Sequence, residues 1–143
     1  MDTNRQISFF IPMRIPTKTF QAKKLTVRNG KPVLYTPPEL IKIQQEYISR
    51  LTKVAPKKPF PGPVWLKIAF CFKSDEKHQP GIPKPTKPDL DNLEKGLVDC
   101  MTKCNFWNDD SQICLEYISK SYEIHEGIHI EVVQLAIGGT NND

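Results

Sequence analysis

Strict alternation of apolar and polar positions marks the strands. Val64, Leu66, Ile68, Phe70 and Phe72 alternate with Trp65, Lys67, Ala69 and Cys71, the period of a strand with one strongly apolar face. This pattern predicts a strand central to its sheet. The stretches Ile113 to Ile124 and Ile128 to Leu135 also alternate, and the short link His125-Glu126-Gly127 between them predicts a hairpin. Ile7 to Ile11 is a brief apolar run stopped by Pro12, which predicts an opening strand.

The period changes to that of a helix in two places. Leu40, Ile43, Tyr47, Ile48 and Leu51 fall on one helical face behind Thr36-Pro37-Pro38-Glu39. There Thr36 is expected to cap, proline suits the first turn, and Glu39 faces the positive end of the dipole. From Asn92 onward, Leu93, Leu97, Cys100, Met101 and Cys104 make a second amphipathic helix, with Asp91 or Asn92 as its expected cap. Between these elements, Met13 to Lys31 has little apolar periodicity and reads as a loop or loose hairpin turning at Asn29-Gly30, with Val33 to Tyr35 returning as a strand. Lys53 to Pro63 and Lys73 to Pro88 carry four prolines each and break regular structure. No repeat is present. The elements predict one α/β (α+β) domain over residues 1–137, a small mixed sheet flanked by two helices, with a frayed polar tail over 138–143.

A chain of 143 residues has the length of one domain. No apolar run reaches ~18 residues and no secretory pattern opens the chain, so a soluble, cytoplasmic protein without a membrane span is expected. Cys71, Cys100, Cys104 and Cys114 fall within apolar patterns and read as reduced, packed thiols, and no CxxC pair supports a zinc site. Charge adds more. Residues 1 to 60 hold twelve Lys or Arg against three Asp or Glu, a net +9, while residues 61 to 143 hold eight against thirteen, a net −5. A basic half joined to an acidic half suggests a polyanion held by one part and attacked by the other, and nucleic acid is the expected partner. Arg14, Lys18, Lys23, Lys24, Arg28 and Lys31 are the expected DNA-binding residues.

The acidic half concentrates its chemistry in Lys87-Pro-Asp-Leu-Asp-Asn-Leu-Glu-Lys95 and Trp107-Asn-Asp-Asp-Ser-Gln-Ile113. In an extended segment Asp89 and Asp91 point the same way, about 7 Å apart. With one of Asp109 or Asp110 they are expected to converge on a hard cation, Mg²⁺ or Mn²⁺. Taken singly, Asp91 reads as a helix cap and Asp109-Asp110 as a turn; their joint occurrence favours the metal. Lys95, one turn beyond Asp91, either pairs with Asp91 or Asp99 or meets the charge that builds on a phosphate.

Those two segments, with Asp99 and Phe106, closely resemble the signature of RusA-type Holliday junction resolvases, phage-associated endonucleases that cut four-way DNA junctions. The match is tight over about 27 residues, and Tyr35-Thr36-Pro37 resembles the family's N-terminal pattern more loosely. The resemblance implies a RusA-like fold, catalytic and metal-binding carboxylates at Asp89, Asp91 and Asp110, a functional lysine at Lys95, and a Mg²⁺-dependent homodimer acting in recombination and repair. The chain departs from the pattern at Thr17-Lys18-Thr19-Phe20-Gln21, where many relatives carry Gly-Arg-Pro-Arg.

Geometry limits how Asp110 joins the site. A helix from Asn92 to Cys104 is about 20 Å long, and the six steps to Asp110 span at most roughly 20 Å. Either the helix ends earlier, the connector runs straight back along it, or Asp110 completes the site of a second subunit. The expected function is resolution of four-way junctions by paired symmetric nicks. The rivals are a structure-selective nuclease acting on flaps or other branched DNA, and a noncatalytic binding module stacking bases on Phe20, Trp65 or Trp107.

Overall fold

The computed structural model describes residues 5–17, 24–35 and 37–136. The opening run forms β1 (Gln6–Pro12). The basic stretch that follows contains a hairpin, β2 (Lys24–Arg28) and β3 (Lys31–Tyr35), which forms a two-stranded sheet of its own. It turns at Asn29 and Gly30, with φ of 52° and 74°. Positive φ at both central residues is the geometry that Asn-Gly favours in a two-residue turn. The expected loose hairpin is therefore a regular one.

Helix α1 (Pro38–Thr52) buries Leu40, Tyr47 and Leu51. Its cap position is Pro37, without a side-chain cap, and the Pro37 carbonyl accepts from Leu40 N. The expected Thr36 cap lies one residue too early; Thr36 itself is outside the described residues, as are Lys18, Phe20, Lys23 and the 138–143 tail. After the connector come β4 (Val64–Lys73), the proline-rich loop, α2 (Leu90–Lys103), a one-turn 3-10 helix at Asp110–Gln112, β5 (Ile113–Glu123) and β6 (Gly127–Gln134).

The four longer strands form a mixed sheet in the order β1-β6-β4-β5. Central β4 runs parallel to β5 and antiparallel to β6. The expected hairpin of 113–124 with 128–135 is thus not formed, because β4 lies between the two strands. Four Cα steps from Glu123 to Gly127 reach up to about 14 Å, enough to cross two strand spacings of about 4.8 Å. The apolar row of β4 decides the order: Val64, Leu66, Ile68 and Phe70 are fully buried, which requires neighbours on both edges. A parallel β4–β5 pair then needs a crossover, and α2 supplies it.

Gly127 opens β6 where it meets β1. A Cβ there would stand 2.3 Å from the Ile11 carbonyl oxygen, so only glycine allows the approach. Both helices pack on the β4 row, and Leu51, Leu97, Met101, Phe60, Phe106 and Trp107 complete the core at 0% exposure. The fold is α+β, one mixed four-stranded sheet with two helices and one main core. Among the described residues no helix is long and apolar enough to cross a membrane. The four thiols are free; Cys100 is buried as expected, but Cys114 is exposed.

Candidate active site

Helix α2 begins at Leu90, earlier than its apolar period suggests, with Asp89 as its cap residue at φ −68° and ψ 140°. Neither Asp91 nor Asn92 is the cap. The expected pairing of Asp89 with Asp91 on one extended segment fails for the same reason: only Asp89 is extended, and Asp91 stands in the first helical turn. The proline-rich lead explains the boundary. Pro88 biases Lys87 away from the helical region, and with Asp89 still extended the helical backbone begins at Leu90. Asp89 then pairs with Lys87, carboxylate to ammonium 3.3 Å apart, and makes no side-chain cap hydrogen bond.

Counting from Asp91, the residues Glu94, Lys95, Val98 and Asp99 recur at helical spacing and form one wall of an open cleft of about 440 Å³. Asp110, Ile113, Cys114 and Glu116 form the facing wall. The structure therefore brings Asp91, Lys95 and Asp110 to one cavity within a single chain and leaves Asp89 outside its lining. Lys95 is exposed and, among the described residues, makes no ion pair with Asp91 or Asp99.

The return of the chain to Asp110 follows the second of the three routes. The helix stops at Cys104, and Asn105 adopts φ 62°, while Asn105 N donates to the Thr102 carbonyl and Phe106 N to that of Met101. These two bonds are a Schellman stop, with the buried Phe106 and Met101 in its hydrophobic position. Phe106 and Trp107 then run back through the core beside Phe60, whose N–H donates to the Phe106 carbonyl at 2.8 Å. Trp107 is fully buried and its Nε1 donates to Thr102 Oγ1 at 2.8 Å, so it offers no face to a nucleic-acid base.

The two adjacent aspartates have separate roles. Asp109 accepts from Ser111 N at 3.2 Å and caps the 3-10 turn, and that hydrogen bonding holds its carboxyl below the usual range. Asp110 faces the cleft. Gln112 completes the capping box: its Oε1 accepts from Asp109 N at 3.2 Å and from Asn108 N at 2.9 Å. On the other arm of the site, Lys120 of β5 donates to the carbonyls of Thr86 and Pro88, at 2.5 and 2.7 Å, and so fixes the approach to Asp89.

Sequence reasoning missed Glu94 and Glu116. Burial in the cleft, followed by hydrogen bonding with Glu116, that residue's negative charge and that of Asp91, pushes the Glu94 carboxyl up to about 8. The helical spacing of Glu94 to Asp91 is a signal that could have found it; no sequence spacing sets β5 against α2, so Glu116 has none. Of the expected DNA-binding residues, Arg14 and Lys31 are exposed and Lys24 and Arg28 lie in β2. Lys18 and Lys23 are outside the described residues.

The donor set suits a hard divalent cation. Asp91, Glu94, Asp99, Asp110 and Glu116 all offer carboxylate oxygen to the cleft, the chemistry a hard cation takes. Among the described residues no three such side chains are grouped closely enough to hold an ion as they stand, so Asp89, Asp91 and Asp110 do not form a closed ligand set.

The family model for endodeoxyribonuclease RusA matches residues 15–133. A crossover junction endodeoxyribonuclease rusA of Lactococcus phage r1t is 35% identical over 89 residues, covering 61% of this chain and 68% of the phage protein. The uncharacterized protein YqaN of Bacillus subtilis (strain 168) is 27% identical over 123 residues, covering 78% of this chain and 85% of its own length. The matched span runs from just after β1 through the cleft into β6, and the chain belongs to the RusA endodeoxyribonuclease family.

Proposed function

We propose that this protein is a Mg²⁺-dependent endodeoxyribonuclease that resolves four-way DNA junctions by paired symmetric nicks, acting as a homodimer in recombination and repair. The observation that carries this reading is the cleft in which Asp91 and Asp110 face each other beside Lys95, in a chain of the RusA family. Asp89, Asp91 and Asp110 would hold Mg²⁺, with Mn²⁺ as a substitute. When bound, the ion supplies an acidified water and a polarised phosphate.

The chain's own residues do the rest. Lys95 stands on the Asp91 face of α2, with its ammonium free to neutralise charge on a scissile phosphate. Asp109, as cap, keeps Asp110 directed into the cleft. Glu94, its carboxyl pushed up by burial and by the neighbouring Glu116 and Asp91, carries a proton in the cleft. Arg14, Lys18, Lys23, Lys24, Arg28 and Lys31 would contact the phosphate backbone. Two-fold symmetry suits a junction whose opposed strands are cut alike.

The test compares a static four-way junction, a flap and a linear duplex, each with Mg²⁺ and with chelator. Paired nicks in the junction alone, dependent on Mg²⁺, are expected. Equal cutting of the flap would place the protein among general structure-selective nucleases, and sedimentation showing only monomer in a sample that cuts both strands would remove the homodimer.

A further inference from the structure

We infer that Gln112 is a positioning residue for the cleft, its side-chain amide tying the turn that carries Asp110 to the buried connector ahead of β4. The inference rests on the metal-dependent reading above. Gln112 Nε2 donates to the carbonyls of Phe60 and Gly62, both at 2.8 Å. Its Oε1 accepts from the N–H groups of Asn108 and Asp109. All four hydrogen-bonding places of the amide are used.

Both ends of this tether matter. The connector end is anchored: Phe60 is fully buried and bonded to Phe106, and the Pro63 carbonyl accepts from Leu135 N at 2.9 Å. The other end is the exposed turn Asn108 to Ser111, whose one further side-chain bond among the described residues is the local one from Ser111 N to Asp109. Gln112 alone among these side chains links the Asp110 turn to the core. No other residue type replaces it: glutamate cannot donate, lysine cannot accept, and asparagine is one methylene short. Mg²⁺ demands near-ideal octahedral geometry, so a carboxylate displaced by a fraction of an ångström binds it poorly. Groups that orient metal ligands are typically worth about 10- to 100-fold in metal affinity.

The experiment measures Mn²⁺ binding to the full chain without DNA, by calorimetry, for the parent, Gln112→Glu and Gln112→Met. Ile130→Val, a core change on β6 away from the cleft, serves as the stability control. Gln112→Glu discriminates because it adds negative charge: simple attraction raises Mn²⁺ affinity, whereas loss of the tether to Phe60 and Gly62 lowers it. A loss of about ten-fold or more in both Gln112 variants is expected, with Ile130→Val within two-fold of the parent. If Gln112→Met does not fold, Gln112→Glu carries the test with the same expectation. Parent-like or tighter binding by Gln112→Glu, or an equal loss in Ile130→Val, overturns the positioning role. A parent that binds no Mn²⁺ overturns the metal-dependent reading together with it.

Discussion

Glu94 of α2 and Glu116 of β5 line the two walls of the cleft, and burial, followed by hydrogen bonding with Glu116 and its negative charge, pushes the Glu94 carboxyl up to about 8, so that Glu94 keeps its proton at neutral pH. The unfolded chain releases that proton near pH ~4.3, while the folded chain keeps it to about pH 8. Its contribution to stability is therefore complete below the unfolded value and is lost as pH rises through the folded one. Thermal melts between pH 5 and pH 8.5 should show a parent midpoint that falls with pH and a flatter slope for Glu94→Gln. Parallel slopes would show that the folded chain does not raise the Glu94 carboxyl.

The adjacent aspartates should respond in opposite ways. Asp110→Asn should lose cleavage with little change in melting temperature, because it removes a cleft carboxylate from an exposed position. Asp109→Asn should retain activity, since asparagine caps nearly as well as aspartate, and Asp109→Ala should mainly lower stability. Junction cleavage and melting curves for the three variants separate the roles; a loss of activity in Asp109→Asn as deep as in Asp110→Asn would contradict the assignment.

Neutralising Arg14, Lys24, Arg28 and Lys31 together should weaken DNA binding and flatten its dependence on salt. Each phosphate contact removed lowers the slope of log K against log salt by about one. Titrations at several salt concentrations read this directly, and an unchanged slope would mark the basic stretch as solvated surface.

What can be read along the chain is what is local. The alternation of Val64 to Phe72 and the turn at Asn29-Gly30 each depend on a few neighbouring residues, and both are present in the fold. The partner of a strand is not local: Ile113 to Glu123 and Gly127 to Gln134 have the right period, yet β4 separates them. The start of α2 depends on the backbone angles at Asp89, and apolar spacing carries no sign of them, so Asp91 reads as extended where it is helical. Asp109-x-x-Gln112 is a capping-box pattern visible in the sequence, and the glutamine three residues on is what tells the cap aspartate from the cleft aspartate. Glu116 and the four bonds of Gln112 exist only once β5 is set against α2 and the connector.

The measurement closest to the central claim is junction cleavage by Asp91→Asn. Asn keeps the shape of the side chain at the exposed start of α2 and removes a charge needed to hold Mg²⁺ and unfavourable to phosphate. Cleavage of a four-way junction in Mg²⁺ should fall by about a thousand-fold or more, because the ion that would lower the pKa of an attacking water and polarise the phosphate is no longer held at the cleft. Junction binding should be unchanged or tighter, with the melting temperature near that of the parent. A purified Asp91→Asn variant that cuts at a tenth of the parent rate or faster would contradict the account.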